Sequence, residues 1–137
     1  MALKLIVFGE ALASFDRLVN LDLAAIQNLD ETLIDGLQNG KAQKFEYTIE
    51  LCWKTIKEFI KTADGIDEAS PKRVIKAFYL AGYLSEDNYL LLNQAIDDRN
   101  QLSHLYDPSA FNQIIARLPA YAELMNGIWN TLKQRPQ

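Results

Sequence analysis

Apolar residues three and four positions apart recur along almost the whole chain, and this spacing is the strongest constraint on its fold. Leu5, Phe8, Leu12, Phe15, Leu18, Val19, Leu23, Ile26, Leu29, Leu33 and Leu37 keep one face of a helix, or of two successive helices, apolar. Phe45, Ile49, Cys52, Trp53, Ile56, Phe59 and Ile60 form a second stripe. Phe111, Ile114, Ile115, Leu118, Tyr121, Leu124, Met125, Ile128 and Leu132 form a last one. No segment shows the alternation of a half-buried strand. The expected fold is all-α, an up-and-down antiparallel bundle of four to five helices in a single domain over residues 1–137.

Local signals divide the pattern. A single helix over residues 3–37 would be about 50 Å long, so a bend near Asn20–Asp22 is expected. Gly36, Asn39 and Gly40 are expected to end this segment, with the next helix running from Lys41 to Thr62 and stopping at Ala63-Asp64-Gly65. Ser70-Pro71 starts a short helix, a cap followed by a proline that loses no hydrogen bond. That helix holds Val74, Ile75, Phe78 and Tyr79 and runs into Gly82. Ser85-Glu86-Asp87 starts another, carried by Tyr89, Leu90, Leu92, Ile96, Leu102 and Leu105, with two acids favoured by the helix dipole. Asp107-Pro108 opens the last helix, which Pro119 should kink, and the tail from Lys133 to Gln137 is expected to fray.

Composition narrows the setting. One cysteine, Cys52, cannot form an internal disulfide, and its apolar neighbours suggest an inert core thiol in a cytosolic protein. The apolar start has no basic leader and no small-residue cleavage site after it, and no apolar run is long enough to span a bilayer. A soluble, cytoplasmic protein is therefore expected. Net charge is −4, the wrong sign for general charge-driven binding of nucleic acid. Residues 41–76 nevertheless carry eight bases against six acids, whereas residues 85–107 carry Arg99 against five acids. Phosphate attraction must then be local or borrowed from another segment.

The chemistry-bearing stretch is Arg99-Asn100-Gln101-Leu102-Ser103-His104-Leu105-Tyr106, which holds the only histidine. On an ideal helix Asn100 and His104 share a face, as do Arg99, Ser103 and Tyr106, while Arg99 and His104 diverge by about 140°. One isolated helix cannot easily close both on a single phosphate unless the helix end loosens or a second copy contributes the other half, which points to a homodimer with these helices meeting near a twofold axis. If they converge, histidine can shuttle a proton, arginine can hold phosphate oxygens, and a small amide can orient either. That set suits metal-independent RNA cleavage by the neighbouring 2′-hydroxyl. No zinc spacing, phosphate-cradling glycine loop, nucleophile elbow or dinucleotide fingerprint is present, so neither metal nor cofactor is expected.

Ordinary readings stand beside this one. Arg99 and His104 near a helix end could be surface ion pairs or caps, with Arg99 facing Asp97, Asp98 or a carboxylate on another helix. Glu46 and Glu50, one turn apart, repel each other unless a cation lies between them, which makes a bond from one of them to Arg99 attractive. Otherwise both are solvated and Trp53 is simply core. The basic run Lys72, Arg73 and Lys76 reads first as a solvated helix face.

Arg99 to Tyr106 fits the Arg-x4-His-x-Tyr pattern of HEPN domains. With Phe45-Glu46, Glu50, Trp53-Lys54 and Ser70-Pro71, the chain from about Lys41 onward resembles the HEPN branch of nucleotidyltransferase substrate-binding proteins. The resemblance implies a dimerising bundle that works beside a minimal nucleotidyltransferase (MNT) on a separate chain. It implies a ribonuclease toxin of a toxin-antitoxin pair, with RNA as substrate, inhibited by AMP transfer from the partner. Arg99 and His104 would then be catalytic with Asn100, Tyr106 would accept AMP, and Glu46, Glu50 and Ser103 would support them. The alternative within the branch is a noncatalytic subunit that uses the same residues to bind substrate or nucleotide for the nucleotidyltransferase. A plain dimerising helical bundle is a third reading.

Overall fold

A computed structural model describes residues 2–26, 28–104 and 107–134. Five α-helices make up the described chain: α1 Ala2–Val19, α2 Glu31–Asp64, α3 Pro71–Leu80, α4 Glu86–Leu102 and α5 Pro108–Gln134. No strand occurs among the described residues, so the expected all-α bundle is what forms.

The break near Asn20 falls where it was expected, but Gly36 and Gly40 end nothing. A single 3-10 turn, Leu23–Ala25, bridges α1 and α2, with Asp22 accepting a bond from the Ala24 amide. The α2 helix then starts at Glu31, where Asp30 accepts from the Leu33 amide at 2.8 Å. Each helical glycine costs only about 1 kcal/mol relative to alanine. A good cap and the long apolar stripe beyond Lys41 outweigh that cost. The first turns of α2 are weakly covered, with Leu33 53% and Ile34 38% exposed. Thus the apolar spacing of residues 21–37 is only partly spent on the core, since Leu21 and Ile26 are exposed too.

The other helix starts fall at the expected residues. Ser85 accepts from the Asn88 amide at 3.2 Å and Asp107 from the Ser109 amide at 3.0 Å, whereas Ser70 makes no side-chain cap bond ahead of Pro71. Gly65 ends α2 in the left-handed conformation, φ 68°, which glycine adopts without strain. The α5 helix runs uninterrupted through Pro119, which lies on its exposed side. It also includes Lys133 and Gln134, which were expected to fray; the Lys133 ammonium sits 4.0 Å from the Trp129 ring centre.

At 34 residues, α2 is the axis of the bundle and touches each of the other four helices. Lys4 with Glu58 and Ser14 with Lys44 show α1 running antiparallel to it. Trp129 on α5 donates to the Leu5 carbonyl of α1 at 3.1 Å. Phe45 stacks on Tyr121 at 5.4 Å, and Phe59, Phe78 and Tyr83 form an aromatic knot where α2 meets α3. Cys52, Ile56, Phe59, Ile60, Phe78, Leu92, Leu118 and Met125 are fully buried in this one core. Burial alone pushes the Cys52 thiol far above its usual range, as expected of an inert core cysteine.

Candidate functional site at the crossing of helices α2 and α4

Where α4 crosses α2, four side chains singled out by the sequence come together. Glu50, Trp53 and Lys54 lie within little more than one turn of α2, and Arg99 lies in the last turn of α4. Oε2 of Glu50 is 3.0 Å from Nη2 of Arg99, and Oε1 of the same carboxylate is 3.4 Å from Nζ of Lys54. The Lys54 ammonium also stands 6.0 Å from the centre of the Trp53 ring. One carboxylate therefore holds two cations, one from each helix. Arg99 remains 39% exposed, so part of its donor fork faces solvent.

Of the two acids that could have met Arg99, Glu50 does so. Glu46, one turn earlier and half-buried, makes no ion pair among the described residues. Trp53 is core as expected at 8% exposure, yet its indole nitrogen is buried with no hydrogen-bond partner among the described residues.

The C-terminal part of the motif is more open. Arg99 donates a long 3.4 Å bond to the Asn100 side-chain oxygen, and the Ser103 hydroxyl donates to the Asn100 carbonyl at 3.1 Å. His104 is exposed just past the end of α4, and its backbone amide donates to the Gln101 carbonyl at 2.8 Å. No hydrogen bond joins Arg99 to His104 among the described residues. Leu105 and Tyr106 lie outside the described residues.

A second cluster fixes α4 from behind. Asp98, 4% exposed, accepts from Nε and Nη2 of Arg117 at 2.8 and 2.9 Å and from the Tyr121 hydroxyl at 2.5 Å. The bond to Asp98 raises the Arg117 guanidinium above its usual range. Burial first, and then the same carboxylate, raises the Tyr121 hydroxyl. Of the ordinary partners expected for Arg99, Asp98 is taken by this cluster and Asp97 by Lys72 at 2.7 Å, and the carboxylate on another helix, Glu50, is the one it meets. The Asp98 cluster was missed at the sequence level, although one signal was available. Asp98 is three residues beyond Ala95 and thus on the inward side of α4, where an acid requires a partner.

The arrangement can hold an anion: a half-exposed guanidinium and an ammonium are kept close by one shared carboxylate, on helices locked by a buried core. No group of three His, Cys, Asp or Glu side chains is placed to hold a metal ion among the described residues. No helix among them is long and apolar enough to cross a membrane.

The model of a family described as nucleotidyltransferase substrate binding protein like matches residues 3–134. A crystal structure of a protein from Thermus thermophilus is 29% identical in sequence and superposes with a TM-score of 0.80, covering 92% of this chain and 98% of that one. No curated protein matches the chain.

Proposed function

The chain belongs to the nucleotidyltransferase substrate binding protein like family, and on that basis we propose that it is the noncatalytic substrate-binding subunit of a nucleotidyltransferase carried on a separate chain. The observation that carries this reading is the sharing of Glu50 between Arg99 and Lys54. Exposed ion pairs contribute only about 0–1 kcal/mol each, so an incoming phosphate can take over either cation at small cost. Arg99 supplies a planar fork for the phosphate oxygens and Lys54 a mobile point charge. Asn100 accepts from Arg99, and Ser103 and His104 follow it at the end of α4.

A second reading, an endoribonuclease toxin silenced by AMP transfer to Tyr106, is favoured by the exposure of the His104 imidazole beyond α4. It requires Arg99 and His104 to act on one phosphate, either through the turn that follows Leu102 or with a second copy across a twofold axis supplying the other half.

One set of measurements separates the two. The chain is combined with the minimal nucleotidyltransferase, and complex formation and nucleotide transfer are followed for wild type and Arg99→Ala; the chain alone is incubated with RNA in EDTA. The substrate-binding reading expects complex formation with both forms, transfer impaired by Arg99→Ala, and no cleavage. RNA cleavage by the wild type that His104→Ala abolishes would replace it with the toxin reading. In that case intact mass should show AMP added to the wild type and not to Tyr106→Phe.

A further inference from the structure

A basic strip runs along α2 from Lys54 away from Arg99. Lys54, Lys57 and Lys61 recur at helical spacing along the outer face of α2, and Lys4 reaches the same place from the start of α1. With Glu58 and Thr62 they line an open groove of about 420 Å³. Four ammonium groups and one carboxylate thus border a single groove on a chain whose net charge is −4.

The lysines differ in how firmly they are already paired. Lys4 meets Glu58 at 3.1 Å, Lys57 meets Asp67 at 3.9 Å with that acid 69% exposed, and Lys61 has no ion pair among the described residues. The opposite face of the same turns is rigid, because Cys52, Ile56, Phe59 and Ile60 are fully buried. The ammonium stems therefore rise from a fixed platform. From Lys54 to Lys61 the row extends about 10 Å along the helix, long enough for more than one phosphate. Its near end is continuous with Arg99, since Glu50 bonds both Lys54 and Arg99.

We infer that this groove binds a chain of phosphates, either the triphosphate of a nucleotide or the backbone at the end of an RNA strand, and leads it to Arg99. The inference rests on the substrate-binding reading and names the class of ligand. Arg99 and Lys54 hold the phosphate nearest the α4 end, and Lys57, Lys61 and Lys4 hold those behind it. Since the chain as a whole is acidic, attraction for phosphate depends on local basic strips such as this one.

The test uses the full chain with two probes, a fluorescein-labelled ten-nucleotide single-stranded RNA read by anisotropy and ATP read by calorimetry. The double variant Lys57→Gln, Lys61→Gln changes only exposed or half-exposed ends, and a thermal melt confirms its fold. Binding of either probe by wild type, weakened at least tenfold in the double variant, is the expected result. Which probe binds distinguishes the two sources. For RNA, the slope of log affinity against log salt should also become shallower by about 1.4, at roughly 0.7 per lost phosphate contact on a single strand. Binding of neither probe, or binding left unchanged by the double variant, would overturn the inference. Association with the nucleotidyltransferase is read separately by co-purification, so failure of the groove and failure of the subunit reading appear in different measurements.

Discussion

Glu50 on α2 and Arg99 on α4, 49 positions apart in the chain, meet with 3.0 Å between Oε2 and Nη2. With both side chains partly open to water, the pair positions a cation more than it stabilises the fold. Glu50→Gln is expected to change the unfolding free energy by less than about 1 kcal/mol in urea denaturation. The same variant frees Arg99 and Lys54 and should alter anion binding. A loss of about 3 kcal/mol or more, the range for broken buried pairs, would instead make Glu50 a structural anchor.

Asp98 should behave in the opposite way. Its carboxylate is buried and receives three donors, so Asp98→Ala strands the Arg117 guanidinium and the Tyr121 hydroxyl together. We expect a loss of about 3 kcal/mol, at the lower end for a broken buried pair because Arg117 is one-third exposed. Tyr121→Phe removes one hydrogen bond to a charged acceptor and should cost about 1.5–3 kcal/mol. Urea midpoints of the two variants give the comparison.

Alkaline pH should weaken the fold through Cys52 and Tyr121. Both groups have folded-state values raised above their ordinary 9.0 and 10.0, so above those values the folded chain retains protons that the unfolded chain has released. Stability is therefore complete below about pH 9 and falls as pH rises, first through Cys52 and more steeply once tyrosine ionises in the unfolded state. Urea midpoints between pH 7.5 and 10.5 should follow this course, and Cys52→Ala should remove the earlier part of the decline. In the native protein at pH 8, iodoacetamide should leave Cys52 unmodified, whereas in urea it should react.

Two helical glycines should respond with opposite signs. A Cβ at Gly9 would lie 2.9 Å from Nε1 of Trp129, whose indole is held by the Leu5 carbonyl. Gly9→Ala is accordingly expected to destabilise by about 1–3 kcal/mol. Gly36 has nothing within 4 Å of such an atom, and Gly36→Ala should stabilise by about 0.5–1 kcal/mol. Thermal melts of both variants test the pair, and equal effects would contradict the packing described for α1 against α5.

Much of this architecture could be read from short stretches. Helix starts at Pro71, Glu86 and Pro108 were legible because a cap and its first turn are neighbours in sequence. The inward faces of α2 and α5 followed from spacing alone. Gly36 and Gly40 misled because a turn signal reports local cost, and here the cap at Asp30 and the packed length of α2 override it. The site was half legible. That a cation beside Glu46 and Glu50 would relieve their repulsion could be argued from one turn of helix, but not that Glu50 would be the one to receive Arg99.

By itself, the sequence determined the helical class, most helix starts and the apolar faces, since each rests on contacts within about one turn. Tertiary structure alone decided that Arg99 reaches Glu50, that Asp98 turns inward to Arg117 and Tyr121, and that Lys4 joins three lysines of α2. Adjacent residues on a helix point about 100° apart, so the rotation and level at which α4 crosses α2 send Arg99 to Glu50 and Asp98 to the core. No local signal contains those two quantities, because they are set by how the side chains of all five helices fill one interior.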